Sequence, residues 1–162
     1  MADISQEELN ERVAILRRFR TLLEQQRGKF REYLTVLEKQ QDSISNENTE
    51  ALLAHTELEQ QVVKNLMNLQ KVVVPMRQMY NSVSASTPAS AEAEQRTIEN
   101  LQQDLTDLQE KVLAQNKINR ELLKVHIGQI KMQLANIKNP YKNLHSVYAQ
   151  KQPVSQMVEV EI

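Results

Sequence analysis

The sequence predicts an all-α fold: an elongated antiparallel bundle of three long helices, coiled-coil-like in its packing, with a flexible C-terminal tail. Three observations carry this prediction. The 162 residues include only 2 Gly and 4 Pro, so they leave room for few turns. Aromatic residues are scarce, with 2 Phe, 4 Tyr and no Trp, whereas a sheet protein needs more of them. Apolar residues recur at spacings of three and four over long stretches, which is typical of amphipathic helices.

Composition also excludes several function classes. A net charge of −1 gives the chain no overall attraction to nucleic acid or to anionic lipid. The absence of cysteine excludes disulfides and thiolate metal sites. The first residues lack the basic and apolar regions of a signal peptide, and no stretch approaches the roughly 18 apolar residues of a membrane span. We therefore expect a soluble cytoplasmic protein without integral membrane association.

Helix one is predicted over about residues 5–42. Ser5 and Glu8 form a capping-box pattern at its start. One heptad track is entirely apolar: Leu9, Leu16, Leu23, Phe30, Leu37 and Ile44. Its companion track is half polar: Val13, Arg20, Arg27, Leu34 and Gln41. The two tracks predict a heptad seam in which Arg20 and Arg27 lay their stems along the helix and hold their charged heads in water.

Helix two is predicted over about residues 47–80, after a polar break at residues 42–46. Asn46 or Asn48 is the expected N-cap, and the tight connection makes helices one and two antiparallel neighbours. Its apolar stripe consists of Leu52, Val62, Leu66, Leu69, Val73, Met76 and Tyr80. Pro75 lies within this stripe, so we expect a kink or a helix end between Val72 and Pro75.

Helix three is predicted over about residues 90–139, after a low-complexity loop at residues 81–90 and before Pro140. Its first half carries heptad apolar positions: Ile98, Leu101, Leu105, Leu108 and Val112. A polar patch at residues 115–117 follows, and the apolar stripe resumes only at Leu123. The eleven-residue interval is a stutter, which predicts that the two halves of helix three present different faces.

Helix three is also longer than its expected neighbour. If it folds back on helix two, Glu50 lies opposite Arg120, and Glu47 lies near Lys124. Helix three then extends beyond helix two by about 15 residues, or roughly 22 Å at the helical rise. This overhang carries Ile127, Ile130, Leu134 and Ile137, with Gly128 as a place to bend. Four such side chains cannot remain in water without a large loss, so the tail or another chain must cover them.

The domain organisation follows from these elements. Residues 1–141 are expected to form the helical domain, and residues 142–162 a flexible tail. His55, His126 and His145 share no metal-ligand spacing, and no glycine-rich phosphate loop or catalytic serine motif is present. We therefore expect no enzyme activity, no metal and no cofactor.

The basic segment between Lys111 and Lys151 leaves alternatives open. Its first interpretation is a counter-charge to the acidic start of helix two. A surface for partner helices comes second, and a membrane surface third. Nucleic acid comes last, because arginine clusters and stacking aromatics are lacking.

One part of the sequence is similar to a known family. The run of Asn119, Arg120, Glu121, Leu122 and Leu123, followed by Ile127, Ile130 and Leu134, resembles the C-terminal motif of the FlgN family of flagellar export chaperones. A second, upstream group of residues resembles the helix–turn–helix region of the same family. It consists of Leu37, Glu38, Lys39, Gln40, Asn46, Glu50, Ala51, Leu52, Glu57, Leu58, Glu59 and Gln60. The resemblance covers about residues 6–140.

The resemblance implies a function. Members of this family are cytoplasmic helical chaperones that hold the C-terminal segments of the hook–filament junction proteins FlgK and FlgL. They prevent premature assembly and deliver these clients to the type III export apparatus. The residues implied to line the client groove are Leu122, Leu123, Ile127, Ile130, Leu134, Ile137 and Tyr141. Tyr141 and Tyr148 are candidates for docking on the export apparatus.

A second function class remains open from the residues alone. The chain could be a structural coiled-coil scaffold that self-assembles through the heptads of helix one and the first half of helix three. The two hypotheses differ in assembly state. A chaperone is expected to be a monomer or a small oligomer that gains helicity with its client, whereas a scaffold is a stable elongated oligomer.

Overall fold

The fold is a bundle of three long helices, described here from a computed structural model that covers residues 5–86 and 89–137. Helix α1 spans Gln6–Ser45, α2 spans Thr49–Val83 and α3 spans Glu92–Ile137. Short 3-10 turns at Ser84–Ser86 and Ala89–Ala91 lie between α2 and α3. Every element in the described ranges is helical, which confirms the all-α class. The predicted tail at residues 142–162 lies outside the described residues.

Helix α1 is the central element of the bundle. In the contacts between α1 and α3, the residue numbers increase together along both helices, from Arg20 with Glu94 to Gln41 with Gln115. Helix α3 therefore runs parallel to α1. Helix α2 is antiparallel to both. Helices α2 and α3 contact each other much less than each contacts α1. The expectation that α3 packs mainly on α2 was therefore wrong, although its direction relative to α2 was right.

The central position of α1 explains why it buries two heptad tracks. On the predicted apolar track, every member from Leu16 to Ile44 is fully buried, and Leu9 is half-buried. A second track, missed in the sequence, is also buried: Phe19, Gln26, Tyr33 and Gln40. One seam serves a helix with one neighbour, whereas a helix packed between two neighbours must bury a wider face.

The half-polar companion track of α1 lies at the α3 interface. Its members are half-buried. The charged heads of the two arginines, which were expected to lie in water, pair with carboxylates of α3, while the arginine side chains remain 35% and 29% exposed. Arg20 donates to a carboxylate oxygen of Glu94 at 3.0 Å, and Arg27 donates to Asp104 at 3.0 Å. The arginine stems cover the seam, and the guanidinium groups fix the position of α3 along α1.

Both predicted helix starts have the expected caps. The Ser5 hydroxyl accepts from the Glu8 amide at 3.2 Å, and the Asn48 side chain accepts from the Ala51 amide at 3.2 Å. Between α1 and α2, Glu47 takes a positive φ of 54°, which reverses the chain within three residues. These features confirm the antiparallel α1–α2 hairpin.

Helix α2 continues through Pro75 to Val83. The alternative that the helix ends between Val72 and Pro75 is therefore wrong. Pro75 is exposed, and so is Lys71, the residue whose carbonyl loses its amide partner, so the missing hydrogen bond lies on the solvent side of the helix. The neighbouring Val73 and Met76 are buried and hold the helix against the bundle on either side of the proline.

Helix α3 is continuous through the polar patch and through Gly128. Asn116 and Asn119 are only 6% and 1% exposed. With Val112 and Leu123 they give spacings of four, three and four, which keep one face directed inward. The predicted change of face was therefore wrong, because two buried amides occupy the positions that were interpreted as a break.

Candidate functional site

A buried polar layer divides the core of the bundle into two parts. Gln40 of α1 donates to the Glu59 carboxylate of α2 at 2.8 Å. The Tyr33 hydroxyl donates to the other oxygen of Glu59 at 3.4 Å and accepts from Asn116 of α3 at 3.3 Å. All four residues are buried. The layer therefore joins all three helices at one level, and its hydrogen bonds are satisfied only when the helices are in register.

The electrostatics of this layer keep its tyrosine protonated. Burial, followed by the nearby Glu59 carboxylate, raises the pKa of the Tyr33 phenol well above its ordinary value. The hydroxyl therefore remains a donor at every physiological pH. It satisfies part of the hydrogen-bonding need of a carboxylate that is only 2% exposed. Without such partners a buried carboxylate is strongly destabilising.

Beyond the polar layer lies a smaller apolar cluster, named here the distal cluster. Its buried members are Ile44, Leu52, Leu123, Ile130 and Leu134, with Leu53 and Leu122 packed against them. The cluster joins the α1–α2 turn to the C-terminal part of α3. At its edge His126 Nδ1 lies 3.1 Å from a carboxylate oxygen of Glu47. The prediction had placed Lys124 near Glu47, so His126 occupies the position expected for Lys124. From this contact α3 continues to Ile137, a distance of about 16 Å at the helical rise.

The structure distributes the predicted client-groove residues over three environments. Leu123, Ile130 and Leu134 are buried in the distal cluster, so the expectation that Ile130 and Leu134 extend beyond any helix partner in the bundle was wrong. They contribute to one apolar cluster with Ile44 and Leu52 instead. Leu122 and Ile127 are half-buried, and Ile137 is 41% exposed. Tyr141 and Tyr148 lie outside the described residues.

The most exposed apolar side chains of α3 were missed in the sequence. Val125 is 78% exposed, Met132 is 66% exposed and Ile118 is 43% exposed. Their seven-residue spacing was a signal that could have identified them. It was overlooked because the inward stripe is richer in leucine and isoleucine.

In the described residues no lysine of α3 forms an ion pair with α2, although a counter-charge to the acidic start of α2 was the first interpretation of the basic segment. Lys124 lies 3.5 Å from Glu121 of its own helix, and both side chains are largely exposed. Within residues 5–86 and 89–137, neither Lys117 nor Lys131 has a carboxylate within ion-pair distance. These positive charges therefore face solvent.

The described residues hold no constellation of metal-ligand type, since no three His, Cys, Asp or Glu side chains come together there. An open groove of about 640 Å³ lies between α1 and α2, with Gly28 and Leu69 in its wall. Its charged residues, Lys29 and Glu32, form an exposed pair with each other at 3.2 Å. Among the helices in the described ranges, none is long and apolar enough to cross a membrane.

Comparison with known proteins identifies the family of the chain. The family model described as FlgN protein matches residues 15–155. A protein of Treponema pallidum (strain Nichols), described as an uncharacterized protein, is 37% identical over 133 residues, covering 82% of this chain and 81% of its own length. No solved structure matches the chain. The family match extends over all three helices, including the distal cluster, and the chain belongs to the FlgN family of flagellar export chaperones.

Proposed function

We propose that this chain is a cytoplasmic, non-enzymatic type III export chaperone. Its clients are the hook–filament junction proteins FlgK and FlgL, whose C-terminal amphipathic helices it holds to prevent premature assembly before delivery to the export apparatus. Membership of the FlgN family supports the chaperone role and the flagellar class of partner. The distal cluster is the observation that supports the location of the client site.

The distal cluster offers an apolar surface with a packed floor. Leu123, Ile130 and Leu134 form the floor, while the half-buried Leu122 and Ile127 and the exposed Ile137 form a rim. An amphipathic client helix gains most when it covers apolar atoms that are already held in place, because less side-chain freedom is lost on binding. The client helix packs along α3 and covers the rim residues.

The runner-up function, a self-assembling coiled-coil scaffold, has less support. It depends on the heptads of α1 and of the first half of α3. Those positions, from Leu16 to Leu37 on α1 and from Ile98 to Val112 on α3, pack into the core of one chain. Residues that are buried within the bundle are not available to pair with another copy.

The test uses the full chain and peptides of the C-terminal helical segments of FlgK and FlgL from the same organism. Binding is measured by fluorescence anisotropy, and helix gain is measured by circular dichroism. Ile137→Asp places a charge on the rim and should weaken binding about tenfold or more, since covering a carboxylate with an apolar helix costs more than about 1.4 kcal/mol. Leu58→Asp is the matched control, because Leu58 is 46% exposed but lies on α2.

The expected result is binding by the parent chain and by the Leu58→Asp variant, with loss in the Ile137→Asp variant. If the parent chain binds neither peptide, the proposed clients are wrong. If the Ile137→Asp variant binds like the parent chain, the rim of the distal cluster is not the client site.

A further inference from the structure

The outer face of α3 carries an apolar row that no other described helix covers. Ile118, Val125 and Met132 follow one another at seven-residue spacing, and all three are exposed. Seven residues make almost two full turns of an α-helix, with a difference of only about 20°. The three side chains therefore form one row along the helix. Named the outer row here, it extends over about 21 Å at the helical rise.

The outer row is distinct from the face of α3 that builds the core. At about 100° per residue, Val125 points roughly 160° away from Leu123. Leu123 and Ile130 are buried, whereas Val125 between them is the most exposed large apolar side chain in the described residues. A single helix thus presents two apolar faces, and the bundle uses only one of them.

A row of positive charge runs beside the outer row. Lys117, Lys124 and Lys131 immediately precede Ile118, Val125 and Met132, so they repeat at the same seven-residue spacing. All three lysines are exposed. In the described part of the chain Lys117 and Lys131 have no ion-pair partner, and Lys124 has only the exposed Glu121 at 3.5 Å. The surface combines an apolar centre with a basic edge.

We propose that the outer row is a docking surface for a partner helix that is amphipathic and acidic. Apolar side chains at heptad spacing on the partner pack against Ile118, Val125 and Met132. Glutamate or aspartate at the flanking positions of the partner faces the lysine row, which sets its orientation and speeds the encounter. This surface is separate from the distal cluster, and the proposal does not depend on which client that cluster holds.

Charge decides between this partner and the other candidate occupants. A second copy of α3 packed antiparallel would bring its own lysine row against this one, and these like charges would repel each other. A membrane-surface helix needs a deeper apolar face, usually with Trp, Phe or Leu. The outer row instead offers Ile, Val and Met, and Glu121 and Gln129 lie close to it. An acidic helix satisfies both features of the surface.

The test uses the full chain and a labelled designed peptide, helical and amphipathic, with leucine at heptad positions and glutamate at the flanking positions. Two control peptides replace every glutamate by lysine or scramble the leucine spacing. Fluorescence anisotropy at low and moderate salt measures binding. We expect the chain to bind the glutamate peptide, with an affinity that falls as salt rises, and to bind neither control peptide.

Two variants locate the surface. Val125→Asp alters an exposed position, so the fold is retained, and it should abolish binding of the glutamate peptide. The double variant Lys117→Glu with Lys131→Glu should weaken that binding about tenfold, because the two reversed charges repel the glutamates of the peptide. The matched control is Lys64→Glu with Lys71→Glu, which makes the same charge change on exposed positions of α2 and should bind like the parent chain.

Several outcomes would overturn the proposal. One is a parent chain that binds the glutamate peptide no better than the lysine peptide. Another is a Val125→Asp variant that binds the glutamate peptide like the parent chain. A third is binding to phosphatidylglycerol vesicles, lost in the Val125→Asp variant, without binding to the glutamate peptide, which would assign the outer row to a lipid surface.

Discussion

Asn119 of α3 donates its side-chain amide to the main-chain carbonyl of Leu37 on α1, across 2.9 Å. Within a helix, a main-chain carbonyl already accepts from the amide four residues later, so Asn119 supplies a second donor to the Leu37 carbonyl oxygen at a buried position. The Asn119 side chain is 1% exposed and also contacts Gln40 and Gln115. One residue thus links α3 to α1 at the level of the polar layer.

Replacing Asn119 by Ala should lower the free energy of unfolding by about 1–3 kcal/mol, because buried donors and acceptors lose their partner. Urea unfolding followed by circular dichroism measures the change. Asn100→Ala is the matched control, since Asn100 is an exposed asparagine on the same helix. An Asn119→Ala variant as stable as the Asn100→Ala variant would contradict the role assigned to the polar layer.

Ile130 and Ile137 should respond differently to truncation. Ile130 is fully buried in the distal cluster, so Ile130→Ala should destabilise the fold by about 2–5 kcal/mol. Ile137 is 41% exposed near the end of α3, and Ile137→Ala should change stability by less than about 1 kcal/mol. Thermal unfolding of the two variants side by side gives the comparison. Equal effects would mean that the distal cluster is not a packed part of the core.

Alkaline pH should destabilise the fold partly through Tyr33. Its pKa in the folded chain is raised by burial and by Glu59, while an unfolded tyrosine titrates at about 10. Above that pH the unfolded chain loses a proton that the folded chain retains, so stability present below about pH 10 is lost as the pH rises. Tyr33→Phe should therefore make the free energy of unfolding less dependent on pH between about 9 and 11.

The measurement is urea unfolding of the parent chain and the Tyr33→Phe variant at a series of pH values. Tyr80 is a useful second site, because burial, and then Glu99, raise its pKa as well. A Tyr80→Phe variant should also flatten the pH dependence. If the Tyr33→Phe curve parallels that of the parent chain, Tyr33 does not retain its proton in the fold.

Gly28 should be replaceable by Ala with a gain in stability. It lies in the interior of α1, and a Cβ atom added there meets no other atom within 4 Å. Alanine should raise the free energy of unfolding by about 0.5–1 kcal/mol, because it loses less backbone freedom in a helix. Gly128→Ala on α3 should give a similar gain, since its surroundings are equally open. Thermal unfolding checks both variants, and a loss of stability in either would contradict the open surroundings.

The sequence predicted the helices well because each is long and carries a sustained apolar period. It predicted their packing less well. The apolar stripes of α2 and α3 each contain a gap, where the stripe positions are not apolar, and the two gaps were not related to each other. On α2 the gap between Leu52 and Val62 is filled by the buried Thr56 and Glu59. On α3 the gap between Val112 and Leu123 is filled by Asn116 and Asn119.

Antiparallel folding of α2 and α3 brings the two gaps to the same level, where α1 supplies Tyr33 and Gln40. Side-chain period alone cannot distinguish a polar residue that faces water from one that faces another polar residue across a core. The expectation that Ile130 and Leu134 lack a partner within the bundle was wrong for the same reason. Ile130 and Leu134 were assigned to an overhang because α3 was matched to α2 alone, whereas the distal cluster also includes Ile44 of α1.

The parallel pairing of α1 with α3 also has a consequence for synthesis. The contacts between these two helices join residues that are far apart in the sequence. Arg20 and Glu94 are separated by 74 positions, and Arg27 and Asp104 by 77 positions. A growing chain emerges N-terminus first, so the α1–α2 hairpin is complete before its third helix exists. During that interval the edge of α1 that awaits α3 presents guanidinium groups, which water solvates readily. We therefore expect the arginines to make the incomplete bundle less prone to aggregate, and to exchange water for the carboxylates of Glu94 and Asp104 when α3 packs.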